Sequence, residues 1–281
     1  MISARIRSLN EFIEHRNSNA HIYSRIQALE DELCRRHKKE FTVKGFSYPA
    51  QSEVNFLVDY LYSDNVHVNW RERVVCPKTN LNNRLRAAVH FIDFELAPKP
   101  DSKFYIAEQL TPLYSYLKKK YVHLTGSEYL GPEYEPGSVN KKGIRHEDAT
   151  RLSFKDEEID YYLTFECFEH IPDFLKGFRE SYRILKKGGM MFWTVPFASN
   201  SHENIIRATM AEDGAITHHL EPEYHGDPVN PNKGILCYTH FGWEMFDQLK
   251  QIGFTDAYAI TYWSDSLGYY GGGQVLFCAV K

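Results

Sequence analysis

The feature that most constrains this sequence is an alternation of strand-like and helical segments after residue 102. Apolar runs of strand length fall at residues 103–108, 122–127, 143–147, 159–166, 189–195, 256–262 and 274–280. Segments with the apolar spacing of helices lie between them, at residues 112–120, 173–186 and 241–252. The alternation predicts an α/β fold, with a doubly wound, mostly parallel sheet of seven strands and helices on both faces. The last strand follows a glycine-rich turn and is expected to be antiparallel.

Residues 1–40 predict a helical arm. Two apolar stripes with helical spacing support this interpretation: Ile2, Ile6, Leu9 and Ile13, and then Ile22, Ile26, Leu29 and Leu33. Such an arm can pack on its own domain or on a second subunit. We prefer the second alternative and therefore expect a homo-oligomer formed through these helices.

Residues 41–79 differ from the segments on either side. They contain short β-like runs separated by Gly and Pro, and they predict a small β segment. The remainder, residues 80–281, is predicted to form the main domain, which opens with a helix capped by Asn80.

Composition narrows the class of function. The net charge of −4 disfavours a sequence-independent nucleic-acid binder, which needs a basic surface. The five cysteines are scattered and form no Cys-x-x-Cys pair, as is typical of proteins in reducing compartments. No apolar run is long enough to cross a membrane, and the first residues do not resemble a secretory signal. We expect a cytoplasmic protein that acts on a small molecule, with neither nucleic acid nor membrane as a partner.

Acidic residues follow the predicted strands. Glu108 ends the first strand, Glu128 ends the second 20 positions later, Asp148 follows the third, and Glu166 ends the fourth. Ligands of doubly wound sheets bind at the carboxyl ends of the strands, and an acid at this spacing binds ribose hydroxyls. The pattern predicts a crevice that binds a nucleoside.

Residues 146–197 carry the most specific resemblance in the chain. An acid follows the third strand (Asp148), "EEID" leads into the fourth, Glu169-His170 comes after it, and "RILKKGGMMFWTVP" leads into the fifth. From Glu108 onward the chain resembles a class I methyltransferase that depends on S-adenosylmethionine (SAM). The resemblance implies a Rossmann-like domain and SAM as the cofactor. Its expected contacts are Glu108, Gln109, Thr111, Glu128, Asp148, Ala149, Glu166 and Cys167.

The first turn departs from the family pattern, which has an acid followed by x-Gly-x-Gly. Here Glu108 is followed by Gln-Leu-Thr-Pro, without glycine. Glycine matters most against a pyrophosphate, which SAM lacks, so the turn disfavours NAD and FAD more than SAM. Thr111 as N-cap and Pro112 at the first helical position predict a helix whose N-terminus can bind the SAM carboxylate.

The segment 41–79 has the spacing of two zinc knuckles without their ligands. The four positions are occupied by Ser47, Ala50, Cys76 and Thr79, so one residue of four could bind zinc. It resembles the zinc-bearing ribbons of some related methyltransferases, and we expect it to hold together by packing, without metal.

Residues 197–240 form a long insert that is rich in His and aromatic residues, and we expect it to cover the substrate. His218, His219, His225 and Asp227 could bind a metal, but we prefer a structural or substrate-contacting role and expect no metal site. His170 and His225 are the candidate bases for an oxygen acceptor. The alternative for His170 is packing and capping of the next helix.

Three functions remain open. The first is methyl transfer from SAM to a small molecule, with an oxygen of a sugar or another polar metabolite as the acceptor. The second is an inactive protein of the same fold that serves as a binding scaffold. The third is a metal-dependent hydrolase that uses the histidine-rich insert.

Overall fold

The computed structural model describes residues 1–227, 229 and 232–281. Its strands, in chain order, are β1 (Ile2–Ile6), β2 (Phe41–Ser47), β3 (Ser52–Val58), β4 (Phe104–Ile106), β5 (Leu124–Gly126), β6 (Ile159–Phe165), β7 (Leu185–Thr194), β8 (Ile205–Ile206), β9 (Ala208–Met210), β10 (Ile216–His218), β11 (Tyr224–His225), β12 (Ile235–Leu236), β13 (Thr239–His240), β14 (Asp256–Ser264) and β15 (Tyr269–Val280). Its α-helices are α1 (Leu9–Ser18), α2 (Ala20–Arg36), α3 (Trp70–Arg73), α4 (Asn83–Phe91), α5 (Pro112–Lys120), α6 (Phe174–Ile184) and α7 (Glu244–Ile252). A π-helical turn, Ile92–Leu96, extends α4, and a 3₁₀ turn, Phe168–His170, follows β6.

Seven strands in the described part of the chain form one sheet, in the order β1-β14-β15-β7-β6-β4-β5. β4 is parallel to β5 and β6, β6 is parallel to β7, and β15 is antiparallel to β7. The order reverses at β4, because the chain continues to β5 on one side and returns to β6 on the other. The predicted α/β fold and the antiparallel last strand are confirmed. The reversal places a crevice at the carboxyl ends of β4 and β6, where ligands of such sheets bind.

The central strands are buried on both faces. All three residues of β4 are buried, and Tyr162, Phe192 and Trp193 in β6 and β7 are fully buried. Apolar residues of α6 and α7, among them Phe178 and Leu249, are also fully buried. Strands that are covered on both faces read as continuous apolar runs, which is why the sequence predicts them well.

Ile2 and Ile6 are in a strand, and the prediction of a helix from the start of the arm is wrong at these residues. They lie in β1, with Ile2 opposite Trp263 and Ile6 opposite Ala259 in an antiparallel pairing with β14. A spacing of four positions puts two side chains on one face of a strand as well as of a helix, so the pattern does not separate the two. The helical part of the arm begins at Leu9.

The predicted third strand, residues 143–147, does not join the sheet. His146 forms an isolated parallel bridge with Glu128 there. The segment has one large apolar residue, Ile144, which is too few for a strand that is buried on both faces. The seventh strand of the sheet is β1 instead.

Asn82 caps α4, and the prediction that Asn80 does so is wrong. The side chain of Asn82 accepts a hydrogen bond from the backbone N–H of Leu85 at 2.9 Å. Its backbone is extended, as a cap requires, whereas Asn80 has a φ of 57°. Several asparagines precede this helix, and the cap is the one directly before its first residue.

Two compact units divide the described chain. The first contains Met1–Ile6, Asn10–Pro98 and Ala259–Leu276; the second contains Arg7–Leu9, Lys99–Tyr258 and Phe277–Lys281. These units differ from the predicted segments 1–40, 41–79 and 80–281, because α4 and parts of β14 and β15 belong to the first unit. Each unit is built from three separate segments of the chain, so the units cannot be described as consecutive stretches of sequence.

The β segment of the first unit is a hairpin with its own apolar core. β2 and β3 pair antiparallel, with Phe41 opposite Val58. Phe56 and Cys76 are fully buried in the cluster under this hairpin, and the hydroxyl of Ser47 donates to the Cys76 sulfur at 3.2 Å. The likeness to a metal-free zinc ribbon stays a prediction.

Helix α2 packs within its own unit. Its buried residues are Ile26, Glu30 and Cys34, and Cys34 belongs to the same apolar cluster as Phe56. Packing on its own domain, the alternative to an oligomer contact, accounts for these residues, and the homo-oligomer stays a prediction. Within residues 1–227, 229 and 232–281, each helix is too short or too polar to cross a membrane.

Candidate functional site

Glu128 binds the turn that follows β4. Its Oε1 atom accepts hydrogen bonds from the backbone N–H groups of Gln109 at 2.7 Å and Leu110 at 2.8 Å. β4 and β5 are parallel, so their carboxyl ends lie side by side and Glu128 reaches the turn. Burial raises the pKa of Glu128, and the charge of Asp227 acts in the same direction. Through its two hydrogen bonds, the carboxylate of Glu128 orders a turn that has no glycine.

Gln109 and Thr111 also have structural partners. The Gln109 side chain accepts from the Arg145 backbone N–H at 2.8 Å and donates to the Gly143 carbonyl at 2.9 Å. Thr111 caps α5 by accepting from the backbone N–H of Tyr114 at 3.1 Å, with proline at the next position. The predicted Thr-Pro helix start is confirmed.

Asp148 and Ala149 lie in a turn that begins beside the end of β5. The Asp148 carboxylate accepts from both the backbone N–H and the hydroxyl of Thr150, each at 2.8 Å. Burial raises the pKa of Tyr129, and the nearby charge of Asp148 raises it further. The Tyr129 ring is 53% exposed and directly follows Glu128. The sequence interpretation missed this tyrosine, although its position next to the ribose-spaced acid was a usable signal.

A buried ion pair, Arg145 with Glu147, supports the same turn. Glu147 is 3% exposed, and its carboxylate accepts from the Arg145 Nε atom at 2.9 Å and from the Ser153 backbone N–H at 2.9 Å. This pair was also missed. The sequence indicates this pair by two opposite charges two positions apart, because such residues lie on the same side of an extended segment.

Glu166 and Cys167 follow β6. Glu166 has a φ of 54°, which is uncommon for a residue with a side chain and recurs at functional sites. Burial raises the pKa of the Cys167 thiol to about 12, and the carboxylates of Glu169, Glu128 and Glu108 contribute. Cys167 is therefore a neutral thiol rather than a nucleophile. The strand-end acids meet at one edge of the sheet.

Glu169, His170 and His225 form a compact cluster beside these acids. Glu169 is fully buried at 0% exposure. Its Oε1 atom lies 3.6 Å from the His170 Nε2 atom and 3.6 Å from the His225 Nδ1 atom. The two imidazole rings are nearly perpendicular, at 84°, with centroids 4.9 Å apart. The structure thus brings together the two histidines that the sequence singled out.

Each imidazole is oriented by a hydrogen bond on its other nitrogen. The His170 Nδ1–H donates to the Leu236 carbonyl at 2.8 Å. The His225 Nε2–H donates to the Glu223 carboxylate at 2.8 Å, and the ring of His240 lies 3.2 Å from the same oxygen. The partners of both histidines come from the insert, and they were not predicted.

The protonation of the two histidines differs. Burial lowers the pKa of His170 to about 4, so its imidazole is neutral at pH 7. The Glu169 carboxylate, together with Glu223, raises the pKa of His225 to about 9. Burial raises the pKa of Glu169, and the charge of Glu166 adds to that effect. A neutral imidazole, His170, and a protonated one, His225, therefore face the same carboxylate at neutral pH.

The insert is folded, not a simple loop. Three small antiparallel ribbons, β9 with β10, β11 with β12, and β8 with β13, occupy it in the described part of the chain. It docks on the 3₁₀ turn through the backbone N–H of Tyr238, which donates to the Glu169 carbonyl at 2.7 Å. His218 and His219 are exposed. In the described residues, the groups able to ligate a metal include His225 but none of His218, His219 and Asp227.

Part of the chain is similar to known methyltransferases. A family model described as "Methyltransferase domain" matches residues 114–193. Demethylmenaquinone methyltransferases of Listeria welshimeri and Listeria monocytogenes are each 23% identical to this chain over 150 residues, which cover 51% of this chain and 56% of the relative. The chain thus spans about half the length of the curated relatives it matches.

Solved structures that match the chain include methyltransferases. A SAM-dependent methyltransferase of Mesorhizobium loti shares 12% identity and a TM-score of 0.42, covering 70% of this chain and 100% of the other. A phosphoethanolamine N-methyltransferase of Haemonchus contortus, bound to S-adenosylhomocysteine, shares 14% identity and a TM-score of 0.39, covering 69% and 52%. The match to a methyltransferase domain at residues 114–193 includes β5, β6, α6 and most of β7 of the seven-stranded sheet.

Proposed function

We propose that this protein transfers a methyl group from SAM to an oxygen of a small polar molecule such as a sugar. The observation that carries the proposal is the contact of Glu128 with the turn after β4. A glycine-rich turn normally gives a cofactor room at this point. Here the carboxylate of Glu128 orders the backbone instead, so the missing glycines do not remove the site.

The charges of the crevice suit SAM. Its sulfonium and ammonium groups are positive, and strand-end acids attract positive charge. In our proposal Glu108 binds the ammonium group, the start of α5 at Thr111 binds the carboxylate, and the second oxygen of Glu128 binds the ribose. Gln109 fixes the turn, and Glu166 with Cys167 lines the floor beneath the methyl group.

In our proposal the adenine binds between Tyr129 and the turn of Asp148 and Ala149. An exposed aromatic ring next to a carboxylate offers a stacking face and an acceptor for the adenine amino group. An open cavity of about 750 Å³ is lined by Leu110, by Leu130 next to Tyr129, and by the segment before the turn, including Ile144. Apolar walls with a few polar groups are typical of small-molecule sites.

The acceptor is placed beside Glu169, His170 and His225. Methyl transfer from a sulfonium is an in-line displacement, so the enzyme mainly aligns the two reactants and excludes water. An oxygen acceptor also benefits from a group that removes or weakens its proton, worth about 10²–10⁴-fold. The insert supplies His225 to this cluster and hydrogen-bonds to the 3₁₀ turn that carries Glu169 and His170. The buried polar groups favour a polar acceptor over the quinone that the names of the curated relatives imply.

Calorimetric titration with SAM and with S-adenosylhomocysteine tests the cofactor assignment. We expect binding of both in the micromolar range, and no heat at millimolar ligand would overturn the proposal. Transfer of a labelled methyl group to a panel of sugars, phenols and quinones then tests the acceptor. Cofactor binding without transfer to any acceptor would favour the scaffold function instead.

A further inference from the structure

Glu169 is a buried carboxylate whose distances to the nearest imidazole nitrogens, 3.6 Å each, are longer than those of ordinary hydrogen bonds. The residue is 0% exposed, and neither carboxylate oxygen has a hydrogen-bond partner among the residues that the structure describes. Burial of an unsatisfied carboxylate is costly, and proteins rarely accept it. Such a group in a native fold implies that something else binds it.

Each of the two histidines turns one ring nitrogen toward this carboxylate. Because the Leu236 carbonyl can only accept, His170 carries its proton on Nδ1 and presents the Nε2 lone pair to Glu169. The Glu223 carboxylate likewise accepts from His225 Nε2, so that Nδ1 faces Glu169. The carboxylate and the two ring nitrogens converge on one point, which either the proton of a charged His225 or a metal ion can occupy.

The distances fit an ion better than a shared proton. A charge-assisted hydrogen bond would bring nitrogen and oxygen to about 2.7–2.9 Å. Glu169 Oε1 lies at 3.6 Å from each imidazole nitrogen. Two donor atoms that bind one metal ion at about 2.1 Å in tetrahedral geometry lie about 3.4 Å apart. All three donor atoms lie within 4.8 Å of one another.

We propose that Glu169, His170 and His225 bind a divalent transition-metal ion, of the zinc or ferrous-iron type. Two imidazoles and one carboxylate are the donor set of catalytic zinc sites and of non-haem iron sites. Magnesium and calcium prefer oxygen ligands and are not expected here. The site differs from the His218, His219, His225 and Asp227 set that the sequence offered.

The surroundings match those of known metal ligands. Histidines that bind a metal usually donate their other N–H to a carbonyl or a carboxylate, which orients the ring. The Leu236 carbonyl does this for His170, and Glu223 does it for His225. Glu223 is itself held by Arg207, whose Nη2 atom lies 3.2 Å from its carboxylate.

Three protein ligands leave one coordination position open. An acceptor hydroxyl bound there would lose its proton more readily, because the metal stabilises the alkoxide. This role rests on the proposed function, whereas metal binding by the three side chains does not. The two can therefore fail separately.

Metal analysis of chain purified without a histidine tag or chelator tests the site. We expect about one equivalent of zinc or iron per wild-type chain, as three-ligand catalytic sites retain. Glu169→Gln and His225→Gln should each lower the metal content at least about fivefold, in line with loss of a ligand. The matched control, His218→Gln, removes an exposed histidine of the same insert and should leave the content unchanged. Equal loss in the control would overturn the assignment.

Titration of chelated wild-type protein with Co²⁺ keeps the test independent of the variants. A visible d–d spectrum that saturates near one equivalent supports a site with imidazole ligands. A folded, metal-free wild type that shows no such spectrum would overturn the proposal and leave a proton between the three groups. Calorimetry with SAM, performed on the same samples, tells whether the proposed function fails independently.

Discussion

The two units treat a fully buried charge in opposite ways. In the first unit Arg86 is 0% exposed, yet its guanidinium donates to the carbonyls of Leu267 at 2.7 Å, Gly268 at 2.7 Å and Val74 at 3.2 Å. In the second unit Glu169 is also 0% exposed, and its oxygens have no hydrogen-bond partner among the described residues. One charge is neutralised by the backbone around it, and the other is not.

We infer from this difference that Arg86 has a structural role and Glu169 a functional one. Burial lowers the pKa of Arg86 to about 10, so the guanidinium stays charged at neutral pH and holds two backbone segments, at Val74 and at Leu267-Gly268. It also lies over the Phe56 ring, 3.9 Å from its centroid, in an ordinary packing contact. Glu169 stabilises no segment through its side chain. A fold retains such a group when a ligand or a reaction uses it, which is the basis of the metal site proposed above.

Loss of Arg86 should cause the largest change in stability. Arg86→Ala leaves three buried carbonyls without donors and opens a cavity, so we expect the free energy of unfolding to fall by about 3–5 kcal/mol. Urea denaturation, with hydrogen exchange of the β2 and β3 amides, measures it. Arg25→Ala, which removes an exposed arginine, is the control. If the free energy of unfolding fell no more than in the control, Arg86 would have no structural role, and the contrast with Glu169 would be weaker.

Loss of Glu128 should weaken the cofactor site next. Glu128→Ala removes a charged acceptor from two backbone N–H groups, so we expect the Kd for S-adenosylhomocysteine to rise about 10–100-fold, or about 1.4–2.8 kcal/mol. Calorimetry measures it, with exposed Glu135→Ala as the control. Because burial raises the pKa of Glu128, affinity should also fall as the pH drops through that raised value. An unchanged Kd would show that this carboxylate does not organise the site.

Neutralising Glu169 should increase the free energy of unfolding, whereas the loss of Arg86 should decrease it. In metal-free protein at a pH above the raised pKa of His225, about 9, Glu169→Gln removes a buried charge that has no hydrogen-bond partner among the described residues while keeping its shape, so we expect unfolding to cost about 1 kcal/mol more. Denaturation in the presence of a chelator measures it. A destabilised variant would mean that the carboxylate has a structural partner, and the contrast with Arg86 would disappear.

The sequence predicted the part of the fold that local rules determine. α5 was predicted at residues 112–120 and spans Pro112–Lys120, because a Thr cap, a proline and an apolar stripe all mark it. β6 and β7 were found because central parallel strands are apolar throughout. The spacing of Glu108 and Glu128 indicated the crevice for a similar reason, since parallel neighbours place their ends together.

The rest depended on contacts between distant segments. Glu169 and His225 meet because the insert folds back onto the 3₁₀ turn, and two-residue strands such as β11 and β12 carry no periodicity that would predict it. The sequence singled out both His170 and His225 but could not pair them with Leu236 and Glu223. β1 was missed because its partner, β14, lies about 250 positions away and no local pattern sets that pairing.

The smallest effect should come from Glu30, a buried carboxylate that does have donors. Its Oε1 atom accepts from the Trp263 indole N–H at 3.1 Å and the Gly271 backbone N–H at 2.7 Å, while burial raises its pKa. A carboxyl whose pKa is higher in the folded state favours folding most at low pH and loses this advantage as the pH rises through the raised pKa. Glu30→Gln keeps an acceptor oxygen and cannot ionise, so its stability relative to wild type should increase with pH, by less than about 1 kcal/mol. Thermal melting between acidic and neutral pH, with exposed Glu14→Gln as the control, measures the slope. A flat or inverted slope would mean that the two hydrogen-bond donors offset the effect of burial on the pKa of Glu30. Burial alone would then not distinguish Glu169 from Glu30, and the absence of donors would be the whole difference between them.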